Sequence, residues 1–273
     1  MGMILLYVLA SALYGLLAWH YWHTRWRVAD RPTAPLGTLE RAAILVPLGL
    51  HSVLVEAALF DATPLRFGFG HALSVMLWLA VLIYWLESLF VRLDGLQMLV
   101  LPLAAVSVVL PALFPGFASS APDSLAFRLH LAVAMAAYSL FTIAALQAVM
   151  MALLERRLHS GGIRGPFALL PPLLTLERLL FRILWIGFVM LTLTLVSGAA
   201  FSEQLFGRAM RFEHKSLFAV ISWVIFAMLL AGRHLYGWRG RKALRWVAAG
   251  FACLLLAYVG SRFVLEVILK RPV

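Results

Sequence analysis

The chain has 273 residues, of which 63% are hydrophobic and 13% are charged, and its formal net charge is +11. This composition leaves almost nothing for a soluble domain and is typical of a protein whose apolar surface faces lipid. The basic charge does not indicate a nucleic-acid partner. Its cations lie in loops beside apolar segments, where they orient a membrane protein in the bilayer.

Eight long apolar runs follow in chain order, each near the roughly 20 residues that an α-helix needs to cross a bilayer. They lie near residues 3–19, 39–60, 70–90, 95–114, 127–153, 181–201, 215–233 and 244–268. The sequence therefore predicts an all-α, polytopic membrane protein. We expect one bundle of eight transmembrane helices, forming a single transmembrane domain over residues 1–273.

Lysine and arginine are divided unequally between the two faces of this predicted bundle. One face receives 15 of the 23, and the positive-inside rule places that face in the cytoplasm and both termini outside. The first run ends in aromatic residues rather than in small residues suited to cleavage, so we expect a retained helix with an aromatic belt. The belt residues are Trp19, Tyr21, Trp22 and Trp26.

Motifs for common chemistries are missing from the sequence. Its one cysteine, Cys253, excludes a disulfide framework or a dithiol relay within one chain. There is no phosphate-binding loop, dinucleotide-binding glycine pattern, metalloprotease helix or nucleophile elbow. No catalytic residue is predicted.

Three histidines, His71, His130 and His214, share one predicted depth, because each begins a helix that runs from outside to inside. The partial positive charge of a helix N-terminus keeps imidazole neutral, which is its metal-binding form. Two such rings on facing helices can supply both axial ligands of a haem iron. Trp223 is a candidate wall of the haem groove, and the candidate propionate partners are Arg66, Arg128 and Arg211. For each histidine taken alone, the favoured interpretation is an interfacial polar residue at a helix end.

Polar residues deeper in the spans have several interpretations. His51, about ten residues into its span, can be a haem ligand, a hydrogen-bonded core histidine or a member of a proton relay. Arg262 and Glu266 are four residues apart and are expected to form an ion pair. For Gln147, a hydrogen bond between helices and a place in a cavity wall are both open.

Several segments in the second half resemble a known family. They are Leu129-His130-Leu131 followed by Ala137-Tyr138, Phe212-Glu213-His214-Lys215-Ser216, Trp238-Arg239-Gly240-Arg241 and Tyr258-Val259-Gly260. They resemble the cytochrome c assembly family of haem-handling membrane proteins, and most closely its short eight-helix branch similar to HemX and YpjD. The resembling region covers approximately residues 39–268 and is best matched over 127–268. It implies a bacterial inner-membrane protein in which His130 opens a helix as a haem ligand.

The leading hypothesis is a protein that binds or helps to move haem, taken as haem b, with His130 and His214 as iron ligands. His71 and His51 are reserve ligands. The predicted partners are the lipid bilayer, haem and other cytochrome c assembly proteins. Two alternatives stay open: a membrane scaffold that uses the basic loop 233–245, and a transporter with a polar path through His51, Glu56 and Gln147.

Overall fold

The computed structural model describes residues 2–26, 37–61, 67–91, 93, 95–117, 124–159, 170–206 and 214–269. Within these ranges every regular element is helical, which confirms the all-α prediction. The main helices are α1 (Gly2–Tyr21), α2 (Leu45–Glu56), α3 (Phe69–Phe90), α4 (Gln97–Ser107), α5 (Leu125–His159), α6 (Leu173–Phe206), α7 (His214–Tyr236) and α8 (Gly240–Leu255).

Short segments extend several of these helices. Helical turns at Thr38–Ala43, Leu110–Leu113 and Ser261–Phe263 adjoin α2, α4 and α8, and π-helical segments at Trp22–Trp26, Ala57–Asp61, Leu256–Gly260 and Val264–Ile268 continue α1, α2 and α8. With these extensions, seven helices of the described chain are long and apolar enough to cross a membrane. The sequence thus builds a multi-pass membrane protein.

The fourth predicted span is the exception in length. The apolar stretch Gln97–Leu113 is shorter than the other seven, and it rises only about 25 Å at 1.5 Å per residue. Its helix is interrupted at Val108 and Val109, just before Pro111, which cannot donate a backbone hydrogen bond. Val108 and Val109 therefore divide the fourth predicted span into two helical segments.

The eight helices pack as two rings of four. In the first ring α1 packs on α2, α2 on α3, α3 on α4, and α4 closes on α1. The second ring repeats this order with α5 to α8, closed by α8 on α5. The rings join where α3 packs against α5 and against the segment Leu256–Gly260.

An aromatic stack fills the centre of the second ring. Phe141 of α5 and Phe226 of α7 are fully buried, with ring centroids 3.9 Å apart. Glycines of the two remaining helices let them approach this pair closely: a Cβ atom at Gly187 would lie 3.3 Å from Phe141 Cζ, and one at Gly250 would lie 2.8 Å from Phe226 Cζ. Four helices therefore meet around two stacked rings.

The aromatic belt prediction is wrong for Tyr21. Its side chain is fully buried, and its hydroxyl donates a hydrogen bond to the backbone oxygen of Glu40 at 2.7 Å. Trp19 and Trp22 are 61% and 44% exposed, as residues facing a membrane interface would be. The side chain of Trp26 lies outside the described residues.

Candidate functional site

His130 is positioned at the start of α5. Ser124 precedes this helix, and its Oγ accepts a hydrogen bond from the backbone N–H of Phe127 at 3.2 Å, which fixes where the helix begins. His130 follows within two turns, and its Nδ1 lies 2.7 Å from Ser197 Oγ on α6. Its ring packs so closely on α6 that a Cβ atom at Gly198 would lie 3.4 Å from His130 Cε1.

The hydroxyl of Ser197 is a hydrogen-bond partner that suits one tautomer of the His130 imidazole. A serine hydroxyl has one proton, and Ser197 Oγ lies 2.7 Å from the backbone oxygen of Leu193, to which it donates. With that proton donated to Leu193, Ser197 Oγ accepts from His130, and the neutral imidazole in this arrangement carries its proton on Nδ1 and its lone pair on Nε2. This is the form in which histidine ligates a metal through Nε2.

His71 lies in the first turn of α3 and is buried. Its Nδ1 has no hydrogen-bond partner among the described residues. Its ring lies 6.2 Å from that of Phe67, which is 6.3 Å from Tyr258. The ring centroid of Tyr138 on α5 lies 6.4 Å from that of Tyr258. These aromatic side chains form a cluster beside His71, where the two four-helix groups meet.

A carboxylate from the segment after α8 fixes the start of α3. Glu266 Oε2 accepts a hydrogen bond from the backbone N–H of Phe69 at 3.1 Å, and Glu266 Oε1 lies 3.8 Å from Arg262 Nη1. The predicted ion pair is confirmed, and it has a further partner that the sequence did not indicate. This contact, the Glu266 clamp, holds the first turn of α3 and thereby positions His71.

His51 is fully buried inside the first ring. Its Nε2 lies 2.8 Å from Ser74 Oγ on α3, and its ring meets that of Tyr14 edge to face at 5.8 Å. Neither His51 Nδ1 nor the hydroxyl of Tyr14 has a hydrogen-bond partner among the described residues. Within the described part of the chain, His51 thus has one hydrogen-bond partner, Ser74, and its Nδ1 has none.

Trp223 and Arg128 each make a specific contact. The indole of Trp223 donates to Thr192 Oγ1 at 2.9 Å and stacks on Phe188 at 5.4 Å, both on α6. Arg128 Nη1 donates to the backbone oxygen of Leu59 at 3.2 Å, which ties α5 to the end of the second span. Arg128 lies two residues before His130, whereas Trp223 lies nine residues, or roughly 14 Å, along α7 from His214.

Three residues of the predicted haem site lie wholly or partly outside the described residues. His214 begins α7, but its side chain lies outside the described residues, as do Arg66 and Arg211 entirely. The contacts of His71 and His130 are with different neighbours: the ring of His71 meets the aromatic cluster, and that of His130 meets α6. Among described residues, no group of three or more histidine, cysteine or acidic side chains could hold a bare metal ion.

The residues of the predicted polar path have separate environments. Gln147 Nε2 donates to Glu87 Oε2 at 3.0 Å, which is a hydrogen bond between α5 and α3. His51 is hydrogen-bonded to Ser74, and the side chain of Glu56 is exposed. For Gln147, the interhelical interpretation is the one that the contacts support.

Ser197, Phe67 and Tyr258 are the neighbours that sequence reasoning missed. A serine in an apolar helix is commonly bonded to its own backbone, and nothing in the sequence pairs residues 130 and 197. Phe67 lies in the segment before α3 and outside every predicted span. Tyr258 belongs to a segment that resembles the family, but that resemblance did not indicate a contact with Phe67 or Tyr138.

Comparison with known proteins supports the resemblance over the whole bundle. The profile of the family described as cytochrome C assembly protein matches residues 1–269. Among curated relatives, inner membrane protein YpjD of Escherichia coli (strain K12) is 35% identical over 139 residues, which cover 51% of this chain and 52% of YpjD. Cytochrome c biogenesis protein CcsA of Prochlorococcus marinus (strain MIT 9301) is 39% identical over 88 residues, or 32% of this chain and 28% of CcsA.

The chain thus spans about half the length of the YpjD relatives that it matches and about a quarter of CcsA. The apolar helices and the similarity to these relatives identify the chain as a multi-pass protein of the bacterial inner membrane. The match to the family profile covers every described helix of both rings. The chain belongs to the cytochrome c assembly protein family.

Proposed function

We propose that this protein binds haem during cytochrome c assembly, at the end of the bundle where His71, His130 and His214 begin their helices. The observation that carries the proposal is the 2.7 Å hydrogen bond between His130 Nδ1 and Ser197 Oγ. Histidines that ligate metals commonly donate their other ring N–H to a neighbouring acceptor, which fixes the ring and its tautomer. The contact between His130 Nδ1 and Ser197 Oγ supports such an arrangement for His130.

The chain offers donors suited to a porphyrin iron. A haem iron takes only one or two axial ligands from the protein, and imidazole is the commonest of them. His130 and His214 are the proposed pair, and His71, with its unpaired buried Nδ1, is the first reserve ligand. His51 is the second. Haem b fits better than covalently attached haem, because one cysteine cannot form the two thioethers of a C-x-x-C-H site.

The surrounding residues are proposed to hold and orient the porphyrin. When bound, haem supplies an iron centre that accepts axial nitrogen ligands. Arg128, two residues before His130, is proposed to pair with a propionate, and the indole of Trp223 to contact the ring face. Transfer of haem to other cytochrome c assembly proteins is the proposed role of the bound state.

An absorption spectrum tests the proposal. Purified full-length protein, expressed with ample haem, should show a Soret band that is lost in His130→Ala/His214→Ala. The matched control, His23→Ala/His234→Ala, removes two histidines from the opposite end of the bundle and should keep the band. Helix content by circular dichroism must be equal in all three proteins. A colourless wild type, or a band that survives in the His130/His214 double variant, contradicts the proposed site.

Ser197 is proposed as a positioning residue for His130. Ser197→Ala removes the acceptor that holds the Nδ1 proton, and we expect haem affinity to fall about 10- to 100-fold, the usual range for such outer partners. Ser197→Thr keeps the hydroxyl and should restore most of the affinity. Haem titration followed at the Soret band measures both. Equal affinities in wild type and Ser197→Ala would show that the hydrogen bond does not serve ligation.

A further inference from the structure

The second ring has a strong excess of positive charge at one end, where α5 and α7 end and α6 and α8 begin. We call it the basic end. Its described cations are Arg156, Arg157, Arg178, Arg182, Arg233, Arg239, Arg241, Lys242 and Arg245, and its two carboxylates are Glu155 and Glu177. Both carboxylates are already paired: Glu177 Oε1 with Arg233 Nη1 at 2.8 Å and Glu155 Oε1 with Arg241 Nε at 2.9 Å. Within the described ranges, neither Lys242 nor Arg245 is paired with a carboxylate.

Two of these cations, Lys242 and Arg245, lie on the lipid-facing side of α8. Both are exposed, and so are Ala249, Ala252 and Leu256, which continue the same helix face at steps of three and four residues. An exposed apolar face on a membrane-spanning helix contacts acyl chains. Lys242 and Arg245 therefore stand where that acyl surface meets the headgroup layer.

Aromatic residues hold this cationic pair at the interface. Lys242 Nζ lies 3.7 Å from the centroid of the Trp238 ring, and Trp238 lies 5.3 Å from Trp246. Tryptophan concentrates at the headgroup level of bilayers, which agrees with this depth. The first turn of α8 contains no acidic residue, so the positive end of the helix dipole adds to the cations rather than offsetting them.

We infer that Lys242 and Arg245 bind the headgroup phosphate of an anionic phospholipid, with one acyl chain along Ala249, Ala252 and Leu256. The small alanine side chains leave room for the acyl chain beside the helix, and the anion neutralises the charges of Lys242 and Arg245. The shape of the site, with cations at the headgroup depth above an apolar strip, suits a lipid better than a soluble phosphate. The inference is independent of haem.

Lipid selectivity tests this inference. The full-length protein is placed in phosphatidylcholine bilayers containing phosphatidylglycerol, and the lipids that remain bound are counted by native mass spectrometry. Wild type should retain phosphatidylglycerol preferentially. Lys242→Gln/Arg245→Gln should reduce that preference roughly 30-fold, because each interfacial cation contributes about fivefold.

The control, Arg156→Gln/Arg178→Gln, removes two exposed cations from the same end and should leave the preference unchanged. An unchanged preference in the Lys242/Arg245 variant overturns the inference. So does an equal loss in the control, which would indicate only a diffuse surface charge. Displacement of the lipid by inorganic phosphate would also overturn it. So would a result in which the Lys242/Arg245 variant keeps its lipid preference but no longer binds a soluble partner protein.

A second measurement needs no variant. Phosphatidylglycerol carrying a photoreactive diazirine in its acyl chain is incorporated with the wild-type protein and activated by light. The expected cross-links lie within residues 246–256, which contain the apolar strip below the two cations. Cross-links that fall elsewhere and spare this segment would overturn the assignment even if Lys242→Gln/Arg245→Gln fails to fold.

Discussion

Gly250→Leu is expected to lower the free energy of unfolding by about 3 kcal/mol, the upper end of the usual cost of overpacking a core. A Cβ atom at this position would already lie 2.8 Å from Phe226 Cζ. Phe226 cannot retreat, because it stacks on Phe141, which in turn is backed by Gly187. Ser222 also donates a hydrogen bond to the backbone oxygen of Gly250 at 2.8 Å, so α8 cannot shift without losing it.

Thermal unfolding in detergent measures this effect, and Gly49→Leu is the matched control. Gly49 is also helical, but a Cβ atom there meets nothing within 4 Å, so the same substitution should be nearly neutral. The double variant Gly250→Leu/Phe226→Ala should be more stable than the sum of its single effects predicts, because the removed ring makes room for leucine. Strict additivity would show that the two residues do not compete for space.

Arg233→Ala is expected to cost about 3 kcal/mol, because it leaves a largely buried carboxylate without its cation. Arg233 Nη1 donates to Glu177 Oε1 at 2.8 Å, and the side chain of Glu177 is only 9% exposed. The same guanidinium lies 4.7 Å from the centroid of the Phe181 ring and donates to the backbone oxygen of Trp238. Its loss therefore releases the turn between α7 and α8 as well.

The pair Arg241–Glu155 provides the control for this prediction. The side chain of Arg241 is 62% exposed, so Arg241→Ala should cost less than about 1 kcal/mol. Replacing both members of the buried pair, in Arg233→Met/Glu177→Leu, should restore most of the lost stability, because no uncompensated charge remains. If the double variant melts as low as Arg233→Ala, the buried charge is not the cause.

The transmembrane helices could be predicted from the sequence because the residues that determine each helix lie within it. A run of about 20 apolar residues must satisfy its backbone hydrogen bonds internally, whatever it packs against. The Arg262–Glu266 pair was predictable for the same reason, since its spacing lies within one helix. The burial of Tyr21 was not predictable, because it depends on a hydrogen bond to a backbone oxygen of Glu40 in the next span.

The contacts around the histidines were beyond prediction for a related reason. The apolar pattern shows that His51 needs a partner but does not single out Ser74, and it shows that His130 begins a helix but not that its ring meets α6. These pairings depend on the order in which eight helices pack into two rings. In a bilayer most faces of every helix are apolar, so periodicity does not distinguish a neighbouring helix from lipid.

The Glu266 clamp also sets an order of events during biosynthesis. Glu266 and Phe69 are separated by 197 residues, which a ribosome takes about 10 to 40 s to translate. Throughout that interval the third helix is in the translocation machinery or the bilayer without the carboxylate that caps it. The Glu266 clamp therefore closes after the packing of α3 against α5 has become possible, and it is among the last contacts to form between the two halves of the protein.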